Sequence, residues 1–226
     1  MIKNKDVLQF LTSLDSTEYK ATFKKLSQGS NGYLVDSEAL GYNFDKIKSY
    51  LLHGDKLKSA DALTIKDDSI YFIEFKTGFE KRISDSNFDY SKWKCDATND
   101  FCEQGSKYFK MYQKSTLEVY KLSNFAKLLE SFLIFEKFIL PNCNDTEIQF
   151  KLKYIVVVDA VKDEPVDAIE TILYELGNIN NNSNRINQFK RSIKKYQFKD
   201  STGQYVLYDD VDVFMKEQFE IFFSCA

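Results

Sequence analysis

The sequence predicts an α/β fold, a central mixed β-sheet containing an antiparallel hairpin and flanked by helices on both faces. Three observations lead there. SADALTIKDDSIYFIEFKTG (59–78) reads as a hairpin with strands at about 60–66 and 69–76, turning at Asp67-Asp68. KYIVVVDA (153–160) is a continuous β-branched run, the pattern of a strand buried on both faces. Segments of helical apolar spacing alternate with these strands, as in a layered α/β domain.

The elements follow in chain order. Residues 3–27 show helical apolar spacing through Val7, Phe10, Leu11, Leu14, Phe23 and Leu26, and QGSNG (28–32) ends it. SEALGYNFDKIKSYLL (37–52) predicts a second helix, and the hairpin comes next. Residues 76–100 form a long irregular connection, of a length that loops usually reach for function or disorder. Helical spacing returns from about 103 to 139, with a break near Ser123-Asn124, and PNCND (141–145) is a turn. After the strand at 153–160, PVDAIETILYEL (165–176) predicts a helix, NINNNSN (178–184) a polar loop and RINQFKRSIKKY (185–196) a basic helix. QYVLY (204–208) predicts a strand, and DDVDVFMKEQFEIFF (209–223) a terminal helix capped by Asp209 or Asp210. No internal repeat or domain boundary stands out. The whole of 1–226 is therefore expected to be one domain, with a core at about 37–160, a helical N-terminal extension at 1–36 and helices and a strand in 161–226.

Composition narrows the function. Hydrophobic residues make up 43% and aromatics 15%, enough for a sizeable core. The net charge of −3 argues against non-specific coating of nucleic acid but leaves room for a local basic patch. The longest apolar stretch, SFLIFEKFIL (131–140), is interrupted by Glu136 and Lys137, so no membrane span is expected. MIKNKDVLQFLTSLDSTEYK lacks the apolar centre of a signal peptide, which predicts a cytoplasmic protein. Cys95, Cys102, Cys143 and Cys225 have no CxxC spacing, and His53 is the one histidine. A structural zinc site and a cysteine–histidine pair are not expected, and the thiols should be free in a reducing cytosol.

The hairpin carries the chemistry. A turn centred on Asp67-Asp68 pairs Lys66 with Ser69 and brings Asp61 directly opposite Glu74. Directly opposed side chains lie about 4.5–5.5 Å apart at Cβ, where like charges destabilise. Lys76, two residues beyond Glu74, projects from the same face. Leu63, Ile65, Ile70, Phe72, Ile73 and Phe75 are apolar on both faces, so this is a central hairpin with acids near the end of a buried ladder. Such acids could share a proton, hold a divalent cation such as Mg2+ or Mn2+, or pair with Lys76 alone. The cation uses all three groups, with the Phe75 carbonyl as a further ligand. The ion would bind a phosphate oxygen and acidify a water, and Lys76 would orient that water or stabilise charge on phosphorus.

Asp61, twelve residues, then Glu74-Phe75-Lys76 resembles the PD-(D/E)xK, or restriction-endonuclease-like, nuclease superfamily, with Ser59-Ala60 where a loosely kept proline often precedes the aspartate. The resemblance covers roughly 37–160 and implies a helix, a three-stranded antiparallel meander, a helix and a further strand. Its first meander strand would have to come from about 51–58. Glu74-Phe75-Lys76-Thr77-Gly78 followed by Gln104-Gly105-Ser106-Lys107-Tyr108 is similar to RecB-type exonucleases. That similarity implies that Gln104 and Tyr108, four apart on one helical face, orient substrate or the metal-bound water. Further metal ligands in this superfamily point to Glu38, at the start of the helix before the hairpin, with Asp45 or His53 as alternatives. Glu18-Tyr19-Lys20, another acid-x-lysine triplet, lies in an amphipathic helix and reads as a surface pair.

Arg185, Lys190, Arg191, Lys194, Lys195 and Lys199 fall in a stretch without an acid and suit contacts to nucleic-acid phosphates, or else form a solvated face. Tyr90 and Trp93 would stack on bases or pack within their loop. The resemblance implies a Mg2+- or Mn2+-dependent nuclease that hydrolyses phosphodiester bonds, in DNA by preference. The setting it suggests is phage defence or a mobile element, with a partner protein or a second copy of the chain bringing substrate. The alternative is a non-catalytic binding or scaffold subunit that keeps a nuclease-like fold.

Overall fold

The computed structural model of the chain describes residues 4–14, 16–29, 32–52, 56–78, 111, 123–143, 150–159 and 189–224. Within these, the strands are β1 (Lys20–Thr22), β2 (Gln28–Gly29), β3 (Gly32–Tyr33), β4 (Leu40–Asn43), β5 (Ala62–Lys66), β6 (Ser69–Lys76), β7 (Lys151–Val158) and β8 (Asp210–Met215). Six of them form one mixed sheet in the order β1-β4-β5-β6-β7-β8, and β2 and β3 pair separately. The run from β1 to β6 is antiparallel, while β6, β7 and β8 are parallel. The helices are α1 (Asn4–Ser13), α2 (Ser16–Tyr19), α3 (Phe23–Leu26), α4 (Phe44–Leu51), α5 (123–134), α6 (189–194) and α7 (Lys216–Ser224). A π-helical turn at Phe135–Ile139 continues α5.

The architecture is the α/β fold expected, with a core on each face of the sheet. β6 shows why. Ile70 and Phe72 enter one cluster with Val7, Leu11, Phe44, Ile47, Leu128, Ile134, Phe135 and Tyr154. Tyr71, Ile73 and Phe75 enter the other with Phe23, Phe219 and Phe223. Alternation along the strand sends successive side chains to opposite layers. Each fully buried large apolar side chain stabilises the fold by about 1.5–3 kcal/mol.

Three stretches differ from expectation. Residues 37–52 are not one helix. Leu40–Asn43 is strand β4, and the helix starts at Phe44, where the Asn43 side chain accepts the Lys46 N–H at 2.9 Å and caps it. β4 thereby supplies the strand antiparallel to β5, and residues 56–58 belong to no strand. Residues 209–223 divide into β8 and α7. Asp209 exchanges backbone and side-chain bonds with Leu152 at 2.8 and 2.7 Å, so it docks β8 onto β7 instead of capping a helix. Val211 and Val213 alternate into the core, and QYVLY contributes only an isolated bridge between Tyr205 and Lys199. Residues 3–27 are broken as well. Val7 and Leu11 face one core, while Phe23 faces the other from beyond β1.

The sheet draws strands from residues 20–22 in the N-terminal extension and from 210–215 near the C-terminus, flanking the hairpin and β7. The strand expected at 153–159 lies in the same sheet, as β7, which runs Lys151–Val158. Apart from residue 111, the helices expected at 103–120 and 165–176 lie outside the described residues, as do most of the loop at 76–100 and the loop at 178–184.

Candidate active site

The site is built at the open end of the hairpin. The register runs Lys66 with Ser69, Ile65 with Ile70 and so on to Ala62 with Ile73. Asp61 and Glu74 are the next facing pair. Asp61 is held from two sides. Its carbonyl accepts the Phe44 N–H at 3.2 Å, and its Oδ2 accepts the Phe75 N–H at 2.7 Å. The expected site residue Phe75 therefore pins the Asp61 carboxylate through its amide, while its ring packs in the opposite core. Glu74 is only 1% exposed. Lys76 pairs with Glu74 Oε1, so Asp61, Glu74 and Lys76 are brought together as the sequence predicts.

A fourth member was not foreseen. Lys127, on α5, places its Nζ 3.0 Å from Asp61 Oδ1 and 2.8 Å from both oxygens of Glu74. One cationic nitrogen thus stands where the two carboxylates converge. The same helix face clasps the approach to β5. The Ser131 hydroxyl accepts the Ala60 N–H at 2.8 Å, and Glu130 accepts the Lys58 N–H. A cue lay in the sequence. Asn124, Lys127 and Ser131 recur at helical spacing on the stripe that also holds Leu128 and Phe135, so polar groups interrupt a buried face.

The electrostatics follow from burial. Desolvation pushes the Glu74 carboxyl above its ordinary value, and the Asp61 carboxylate adds to the rise, while Lys76 and Lys127 oppose it. Burial alone would lower the Lys127 ammonium. The carboxylates of Glu74 and Asp61 outweigh that and raise it. Two acids and two lysines make a formally neutral cluster. Just past β7, Asp159 accepts the Gly78 N–H at 2.7 Å. Gly78 takes a φ of 69°, a left-handed turn that glycine makes without steric cost, and it ends the Lys76-Thr77-Gly78 run.

The donor set suits a hard divalent ion. Asp61 Oδ1 and Glu74 converge within hydrogen-bond distance of one point, and carboxylate oxygens are the ligands Mg2+ and Mn2+ prefer. Among the described residues no group of three or more acidic, histidine or cysteine side chains gathers, so the pair stands without a further side-chain ligand there. Glu38 does not provide one. It is exposed in the segment before β4, not at a helix start. β4 pairs with β5 through Asn43 opposite Ala62, so Leu40 and Glu38 lie toward the far end of the strand from Asp61. Asp45 receives the Ser59 hydroxyl and pairs with Lys48 at 3.1 Å. His53, Gln104, Tyr108, Tyr90, Trp93 and Arg185 lie outside the described residues.

The basic segment is only partly available to a ligand. Lys190 and Lys194 lie 3.7 and 4.0 Å from Asp212 on β8. Arg191 and Lys195 are exposed, as is Lys199. Among the described residues Cys143 is a free, buried thiol, and no helix is long and apolar enough to cross a membrane. No protein-family model, curated protein or solved structure matches the chain.

Proposed function

We propose that the chain is a metal-dependent nuclease of the PD-(D/E)xK type that hydrolyses phosphodiester bonds in DNA. The observation that carries this reading is the convergence of the Asp61 and Glu74 carboxylates on a single cation, the Lys127 ammonium, with Lys76 alongside. Asp61 and Glu74 would hold Mg2+ or Mn2+. When bound, such an ion polarises a phosphate oxygen and lowers the pKa of a bound water. Lys127 would yield its place between the carboxylates and, with Lys76, would face the charge that develops on phosphorus. The Phe75 N–H keeps Asp61 aimed throughout. Partners that deliver substrate, a cytoplasmic setting and a role in phage defence or a mobile element belong to the same proposal.

One observation favours a second reading. The two lysines already neutralise the two acids, as a structural ion cluster in a non-catalytic scaffold subunit would have them do. The deciding experiment incubates the protein with plasmid, linear duplex, single-stranded DNA and RNA in Mg2+, Mn2+ or EDTA. The nuclease predicts metal-dependent cleavage that Asp61→Asn abolishes and Lys76→Ala reduces by about two orders of magnitude or more. The scaffold predicts no cleavage by the parent protein in any condition.

A further inference from the structure

Behind the acidic pair, between α5, β7 and α6, lies a partly open cavity of about 80 Å3. Its lining includes Asn124, Phe125, Tyr154, Val156, Ser192 and Lys195. Two buried polar side chains there are unsatisfied. Asn124 is 4% exposed and Tyr154 1%, and among the described residues neither amide atom of Asn124 nor the Tyr154 hydroxyl has a hydrogen-bond partner. Each such group carries a desolvation cost that folding alone does not recover.

The cavity adjoins the acids. Asn124 precedes Lys127 by three residues on α5, about 4.5 Å along the axis. Val156 in the cavity wall is the register partner of Glu74. A side-chain amide presents a donor and an acceptor in one plane, the pattern that pairs bidentately with the edge of adenine. Phe125, in the wall, stacks on Tyr196 with ring centroids 3.7 Å apart, and the exposed Lys195 shares the lining.

We propose that this cavity receives the edge of an unpaired adenine from the strand whose phosphate lies at Asp61 and Glu74, read by Asn124 and Tyr154, with Lys195 on a flanking phosphate. The proposal rests on the nuclease reading and adds a substrate class to it, a single-stranded or locally unpaired nucleic acid. A volume of this size also suits a few waters, which would satisfy the same atoms without any base.

Fluorescence anisotropy in EDTA, where a metal-dependent nuclease cannot cut, separates the two. The probes are a labelled all-abasic strand and the same strand carrying one adenine. The protein should bind the adenine strand about tenfold tighter or more, the return expected from one bidentate pair. Asn124→Leu should erase that difference, keep salt-dependent binding of the abasic strand and raise the melting temperature by removing a stranded amide. Tyr154→Phe, which keeps the ring, should narrow the preference. Equal affinity for the two strands, or binding of neither, would overturn the proposal and leave a hydrated cavity. An adenine preference without metal-dependent cleavage sinks the nuclease reading and keeps the base site. Cleavage without the preference does the reverse.

Discussion

Ionising Glu74 is unfavourable because its carboxylate is buried beside Asp61, and its pKa is raised for that reason. A folded-state pKa above the unfolded one means that the folded protein binds the proton more tightly. The resulting stability is present below the ordinary value of 4.5 and is lost as pH rises through the folded pKa. In EDTA, the stability of the parent relative to Glu74→Gln should therefore fall as pH rises from about 4.5 toward neutrality. A pH-independent difference between the two melting curves would mean that Glu74 is not strained by burial. Lys127 offers the complementary test. Removing one partner of a buried ion cluster strands the other, so Lys127→Met in EDTA should lose up to about 3 kcal/mol. Mn2+ should restore much of that loss, because the ion takes the same place between the acids. A loss that Mn2+ leaves untouched would assign Lys127 a purely structural role.

The hairpin was legible because a short turn at Asp67-Asp68 leaves little choice of register, and register alone faces Asp61 with Glu74. Lys127 was not legible, since it is 53 residues from Glu74 in sequence and reaches it through helix packing. Strand β4 was hidden for a different reason. Leu40, Phe44, Ile47 and Leu51 mimic a helical stripe, yet tertiary packing takes the first of them into the sheet. Gly41 makes that possible. A Cβ there would stand 2.6 Å from Phe23 Cε1 and 3.2 Å from Leu26 Cδ1. Gly41→Ala should thus cost about 1–3 kcal/mol by overpacking β4 against α3, read by urea denaturation. An unchanged midpoint would mean that α3 does not press on β4. The C-terminal stretch misled in the same way, because Val211, Met215, Phe219 and Phe222 satisfy helical spacing while Val211 and Val213 satisfy strand alternation.

At the scale of the whole molecule, the site sits where the antiparallel part of the sheet meets the parallel part. β6 is antiparallel to β5 and parallel to β7, so Asp61, Glu74 and Asp159 come to one end of the sheet. α5 crosses that end from one face and carries both Lys127 and Asn124. The α/β class was readable from the hairpin and the β-branched run. The outer strands were not, because β1 is only three residues long and β8 also fits helical spacing. Arg191 and Lys195 extend the charged surface beyond the acids. Charge reversal at both should weaken DNA binding and lower its salt slope by about 0.9 for each phosphate no longer neutralised, whereas Lys190, already near Asp212, should matter less. A salt slope unchanged by either reversal would leave these residues as solvated surface. The proposed function turns, however, on a cation between the acids. Calorimetric titration of Mn2+ into the parent, Glu74→Gln and Lys127→Met tests it most directly. One ion should bind the parent, bind Lys127→Met more tightly because the competing ammonium is gone, and fail to bind Glu74→Gln. Absence of Mn2+ binding by both the parent and Lys127→Met would contradict it.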